Sequence, residues 1–123
     1  MASYLPERGP TRASILPDDP KERKKYPMAT GLLDYFPDAL AEVAHISYIG
    51  NVQHNGPDSP MFWNRSKSTD QADTIIRHFA QRGQRDTDGE RHSAKAAWRM
   101  LALLQLEIEE DLKKNGNTQS GAS

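Results

Sequence analysis

The chain has no cysteine. That excludes disulfides, a thiolate nucleophile and any cysteine-ligated zinc site. It has no apolar run near the roughly 20 residues that span a bilayer, and its first residues lack the apolar stretch of a signal peptide. No sign of charge dominates: 16 Lys and Arg against 17 Asp and Glu leave a net charge of −1. A near-neutral chain makes a poor general nucleic-acid coat, although a local cationic cluster can still grip a phosphorylated small molecule. Missing too are a P-loop, a glycine-rich dinucleotide turn, an H-E-x-x-H pair and any local motif for an activated serine. These absences point to a soluble cytosolic protein, a viral product in its host's cytoplasm included, with neither a membrane nor a nucleic-acid polymer as partner.

What is present is helical. With 123 residues, 36% of them hydrophobic, one domain with a modest core is expected. Residues 1–27 carry Pro6, Pro10, Pro17, Pro20 and Pro27 around the basic run Lys21-Glu22-Arg23-Lys24-Lys25. Proline at that density predicts an extended basic arm, either a solvated tail or a strap across a neighbour or a phosphate site. The helical domain is expected over 28–114, and 115–123 reads as a disordered tail.

Three helices are predicted. The first runs from Pro37, suited to a first helical turn, to about Gln53, with Ala39, Leu40, Val43, Ile46 and Gly50 on one face. Asp38, Glu42 and His45 share the opposite stripe. A loop over 54–68 ends in Met61-Phe62-Trp63-Asn64-Arg65. The second helix starts near Ser68 or Thr69, where Ser68 and Gln71 fit a capping box, and ends at Gly83. Its apolar face is Ala72, Ile75, Ile76, Phe79 and Ala80, with His78 at the edge. The third runs from about Glu90 to Lys114, with Asn115-Gly116 as its stop. Ala94, Ala97, Trp98, Leu101, Leu104 and Ile108 form one stripe, and Met100, Leu103 and Leu106 make residues 100–108 apolar nearly all round. A helix of that kind is buried on more than one side. The expected architecture is therefore an all-α bundle completed by homo-oligomerisation, as a dimer or tetramer.

Several residues could carry chemistry, each with a plainer role beside it. Glu42 is either a solvated helix carboxylate or a ligand for a hard cation such as Mg²⁺ or Mn²⁺, with His45 one turn on as ligand or hydrogen-bond partner. His78 is either a packed core histidine or a site residue. His92, Lys95 and Arg99 follow at i, i+3 and i+7, a strip that either meets solvent or approaches phosphate oxygens. Asp86, Asp88 and Glu90 either make a turn before a helix N-terminus or complete a metal site. Phe62-Trp63-Asn64 is either a stacking platform for a base or an aromatic plug.

From Pro37 to about Glu107 the ordered phrases resemble a phage and bacterial family named for dATP/dGTP diphosphohydrolase activity, one of the MazG-like all-α nucleotide pyrophosphohydrolases. The phrases are Pro37-Asp38-Ala39-Leu40-Ala41-Glu42-Val43-Ala44, Gly50 with Gln53, Phe62-Trp63-Asn64, Arg77-His78, and His92-Ser93-Ala94-Lys95-Ala96-Ala97-Trp98 leading into Leu101-Ala102-Leu103-Leu104. The resemblance implies a helical bundle, a divalent metal, and cleavage of a purine deoxynucleoside triphosphate to monophosphate and pyrophosphate. It implies Glu42, His78 and His92 as catalytic residues. Gln53, Trp63, Asn64, Arg77, Lys95 and Arg99 are expected on the substrate, and Glu42, Asp73, Asp86 and Asp88 on Mg²⁺ (or Mn²⁺). Lysine cannot ligate while protonated, so Lys95 is expected on phosphate. Two other readings stand beside the enzyme: a nucleotide-binding sponge without turnover that sequesters a signalling nucleotide, and a module for assembly alone.

Overall fold

The computed structural model describes residues 14–67 and 69–122, with side chains described as far as 115. Four α-helices order the described residues: α1 (Pro20–Arg23), α2 (Pro37–Asn55), α3 (Gln71–Ala80) and α4 (His92–Ala122), with a π-helical turn at Ala29–Leu33 and a 3₁₀ turn at Arg65–Lys67. No strand is present among them, only an isolated antiparallel bridge between Arg85 and Arg91. The all-α expectation holds. Both α2 and α3 pack on α4, which is the hub of the fold.

The basic segment before α2 is not extended where it is described. Asp19 accepts a hydrogen bond from the Glu22 backbone N–H at 3.1 Å, capping a helical turn whose first residue is Pro20. Proline is compatible with that position because its missing N–H would be unpaired there anyway. Residues 1–13 of the expected arm lie outside the described residues.

Helix α2 begins at Pro37 as its sequence predicts and closes at Gly56, whose φ of 97° is open to glycine and whose N–H returns to the Val52 carbonyl. The face toward α4 includes Leu40 and Val43, then Ser47, whose hydroxyl accepts the Trp98 indole N–H at 2.6 Å. Asn51 is buried and holds the following loop. Its side chain donates to the Ser59 carbonyl and accepts from the Phe62 N–H, each at 3.1 Å. Beyond that loop, Trp63 meets Trp98 edge-on at 5.7 Å between centroids, and Arg65 lies 4.3 Å over the Trp63 ring. The Arg65 guanidinium is held by the Glu109 carboxylate through Nε at 2.9 Å and Nη2 at 3.0 Å, pinning the loop to α4.

Helix α3 starts after Asp70 and ends at Ala80, so Gly83 sits in the next turn instead of closing the helix. Ser68, half of the expected capping box, lies outside the described residues. The orientation of α3 differs from the expectation. Gln71 and Thr74 are buried while Ile76 and Phe79 are more than half exposed. The polar stripe faces α4 because Arg99 reaches across to the Gln71 side-chain oxygen at 3.4 Å and to Asp70 at 3.6 Å.

Helix α4 starts at His92, not at Glu90, because Glu90 and Arg91 belong to a hairpin-like turn. It also continues past Asn115-Gly116. A single glycine costs a helix only about 1 kcal/mol and does not compel a stop. The only buried hydrophobic residues among those described are Ala94 and Ala102. Met100, Leu101 and Leu104 are each about half exposed and line a groove with Phe36, Leu40 and Val43 of the α2 region.

Candidate functional site

The site is assembled by the turn between α3 and α4. The Asp86 N–H donates to the Glu90 carbonyl at 2.7 Å, and the Gly89 N–H donates back to the Asp86 carbonyl at 2.9 Å. Gly89 has φ 85°, the left-handed conformation that closes such a hairpin. The His92 N–H then donates to the Gln84 carbonyl at 3.1 Å, so α4 starts beside the end of α3. This short return brings His78, late in α3, against His92, first in α4. Their Nδ1 atoms are 2.8 Å apart, with His92 only 5% exposed.

One carboxylate joins the imidazoles. Donor atoms of His78, Asp86 and His92 all lie within 4.8 Å of one another. Two imidazole nitrogens this close share one proton as donor and acceptor, or both turn lone pairs toward a common cation. The donor set fits a divalent metal: two neutral nitrogens and one carboxylate oxygen from three separate positions, one of the nitrogen donors buried. Oxygen-only sites favour Mg²⁺ and Mn²⁺, whereas imidazole donors suit Fe²⁺, Ni²⁺, Cu²⁺ and Zn²⁺.

Lys95, one turn into α4, grips the same loop. Its ammonium lies 2.8 Å from Asp86 Oδ2 and 2.8 Å from Asp88 Oδ2. The other oxygens are also taken, Asp86 Oδ1 by the Thr87 N–H at 2.7 Å and Asp88 Oδ1 by the Glu90 N–H at 3.0 Å. The Lys95 hydrogen bond, then the Thr87 N–H, hold the Asp86 carboxyl down at about 2. The same lysine, then the Glu90 N–H, lowers Asp88. For Lys95 itself burial acts downward, but the two carboxylates outweigh it and raise the ammonium above its ordinary range. His78 is lowered, first by removal from solvent and then by the positive potential of His92 and Lys95. A neutral imidazole is the form that can ligate a metal.

The other sequence-predicted site residues are distributed around this group. Glu42 pairs with Arg91 at 3.1 Å and lies outside the three-donor group. His45, on the same stripe of α2, approaches Glu90 at 3.6 Å and stacks on Tyr48. Asp73 is exposed on α3, and Arg77, also exposed, donates to the Thr74 hydroxyl at 3.2 Å. Arg99 sits between Asp70 and Gln71. Gln53 is exposed near the end of α2. The Asn64 side-chain oxygen accepts from the Ser66 N–H at 3.2 Å and its hydroxyl at 2.7 Å, closing the 3₁₀ turn. Trp63 packs edge-on against Trp98 with the Arg65 guanidinium over its ring.

Two buried polar residues, Asn51 and Thr74, were not singled out in the sequence, and a third, Gln71, entered only through the expected capping box. Asn51 organises the 56–62 loop. Thr74 links Asp70 and Arg77, donating its hydroxyl to the Asp70 carboxylate and accepting from the Arg77 guanidinium. Gln71 keeps a buried side-chain nitrogen with no hydrogen-bond partner. A signal was available for Thr74, which lies between Gln71 and the already chosen His78 at helical spacing and so shares their face.

Neither the curated proteins nor the solved structures contain a match to the chain. A family model does match, that of the dATP/dGTP diphosphohydrolase N-terminal domain, over residues 17–115. The matched span begins inside the segment expected as an arm and takes in α1, the apolar α2–α4 groove and the whole imidazole–carboxylate group. The name is that of hydrolases acting on purine deoxynucleoside triphosphates, and it agrees with the resemblance carried by the helical phrases. The chain belongs to the dATP/dGTP diphosphohydrolase N-terminal domain family.

Proposed function

We propose that the chain hydrolyses dATP or dGTP to the monophosphate and pyrophosphate, using a divalent metal held by His78, Asp86 and His92. The supporting observation is the convergence of these three donors within 4.8 Å in a member of this family. An imidazole-binding ion such as Zn²⁺ or Fe²⁺ fits the two-nitrogen, one-oxygen donor set better than Mg²⁺. A bound divalent ion supplies charge neutralisation for the triphosphate and a lowered pKa for water. In the net reaction a water oxygen bonds the α-phosphorus, its bond to the α–β bridging oxygen breaks, and pyrophosphate departs while the water proton passes to solvent or base.

The chain's own residues provide the surroundings. Arg99 and Arg77, on the helices that carry His92 and His78, offer cations for the departing phosphates. Lys95 adds a third positive charge beside the metal ligands. Glu42 and Asp73 supply outer carboxylates, Asp88 anchors the turn, and Gln53, Trp63 and Asn64 are assigned to the nucleoside side. Because Ala94 and Ala102 are the only buried hydrophobic residues described, a second copy is proposed to cover the half-exposed Met100, Leu101 and Leu104. Removal of a purine triphosphate from the pool of a phage-infected cell is the biological role proposed.

One observation favours a second reading, nucleotide capture without turnover. Lys95 already neutralises both Asp86 and Asp88 at 2.8 Å. Incubation with Mn²⁺ or Mg²⁺ and each deoxynucleoside triphosphate, followed by chromatography, separates the two. Monophosphate plus pyrophosphate, abolished by His92→Ala, supports hydrolysis. Intact nucleotide released on denaturation supports capture. Absence of both product and bound nucleotide overturns both.

A further inference from the structure

We infer that Lys95 and Asp88 set the metal affinity of the site: the Lys95 ammonium competes with the ion for the Asp86 carboxylate, and Asp88 holds the ammonium when the ion takes Asp86. This rests on the reading of His78, Asp86 and His92 as a metal site.

Asp86 belongs to two groups at once. It is the only carboxylate among the three convergent donors, and it is also bound by Lys95 at 2.8 Å. Its second oxygen is already engaged by the Thr87 N–H at 2.7 Å. An ion and an ammonium on one carboxylate repel each other at short range, in surroundings less polar than water. The ammonium must therefore weaken binding of the ion or move away.

Asp88 offers the place to move to. It sits 2.8 Å from the same ammonium, and its other oxygen is fixed by the Glu90 N–H at 3.0 Å, so the turn positions it independently of Lys95. Its side chain is 40% exposed against 28% for Asp86, so it can keep the ammonium at the edge of the site. Asp88 is not among the three convergent donors. Lys95 rises from the first turn of α4 one turn beyond His92, so the competitor and a metal ligand share one rigid element. Asp88 and Lys95 are positioning residues that act through Asp86.

Calorimetric titration of the full chain with Mn²⁺, Co²⁺ or Zn²⁺ at one fixed pH tests this, with the Co²⁺ absorption band as a second readout. Lys95→Met should tighten binding about ten-fold, the lower end of effects known for groups that support metal ligands. Asp88→Asn should weaken binding several-fold, because the ammonium is then left to Asp86 alone. The double variant should match Lys95→Met, since Asp88 acts only through the ammonium. Unchanged or weaker binding in Lys95→Met overturns the inference, as does an Asp88→Asn effect that persists without the lysine. Lys95→Gln repeats the test if the methionine variant is misfolded by circular dichroism. If neither wild type nor Lys95→Met binds an ion, or if His78→Ala changes nothing, the metal reading itself fails and the inference falls with it. Ion binding that depends on His78 but is indifferent to Lys95 overturns the inference alone.

Discussion

His78 and His92 face each other Nδ1 to Nδ1 across 2.8 Å, one at the end of α3 and the other at the start of α4. An unsupported contact of this kind would leave two imidazoles competing for one proton. Asp86 beside them turns the contact into a three-donor group. Loss of either ring removes one donor and leaves the other without its partner.

His78→Ala and His92→Ala should each lower affinity for Mn²⁺ or Zn²⁺ by about 100-fold or more, since even groups behind the ligands account for 10- to 100-fold. His92→Ala should also cost more stability, because His92 is the more deeply buried ring. Metal titration together with thermal melting of the metal-free variants checks both orderings.

Acid should loosen the turn in two stages. The folded-state pKa of His78 is lowered below 6.5, so its contribution is complete above that value and declines as pH falls below it. Asp86 is depressed from 3.8 to about 2, so its contribution is complete above about 4 and is lost as pH falls toward 2. Asp86→Asn should therefore melt lower than wild type at pH 7, with the gap closing near pH 2. A gap that is constant with pH would show that Lys95 does not depend on the charge of Asp86.

Asn51→Ala should destabilise the metal-free protein by about 2 to 3 kcal/mol, because the Phe62 N–H and the Ser59 carbonyl both lose a partner at a buried position. Asn51→Asp should be nearly as damaging, since it keeps the acceptor for Phe62 but loses the donor for Ser59. Chemical denaturation of both variants provides the comparison.

The half-exposed Leu101 and Leu104 of α4 give a direct handle on assembly. If the proposed second copy covers this face, Leu101→Glu with Leu104→Glu should leave only monomer in sedimentation velocity. A wild-type chain that already sediments as a monomer removes the proposed second copy.

Helix positions were largely legible, and the site was legible in part. Pro37 and the threes-and-fours spacing after it located α2 almost to the residue, because proline and periodicity are local properties. The facing of α3 was not legible. Ile76 and Phe79 look like part of a core stripe in isolation, but Arg99 and His92 on α4 engage Gln71 and His78 and draw their polar stripe inward, which depends on a distant helix. The three convergent residues divided along the same line. His78, His92 and Asp86 could each be picked out by type. That they meet depends on the hairpin at Arg85–Arg91, which no helical period reports. Glu42 drew weight because carboxylates suit hard cations, yet its side chain is engaged by Arg91.

The return between α3 and α4 has a consequence for which changes the family can tolerate. A series of backbone hydrogen bonds and two left-handed glycines, Gly83 and Gly89, fix its span. An insertion or deletion there would leave α2, α3 and α4 intact yet slide one ring past the other and swing the carboxylate aside. The spacing between the rings behaves like a gauge length. Variation should collect in the loop ahead of α3, while this connection keeps its length even in members whose turn residues differ.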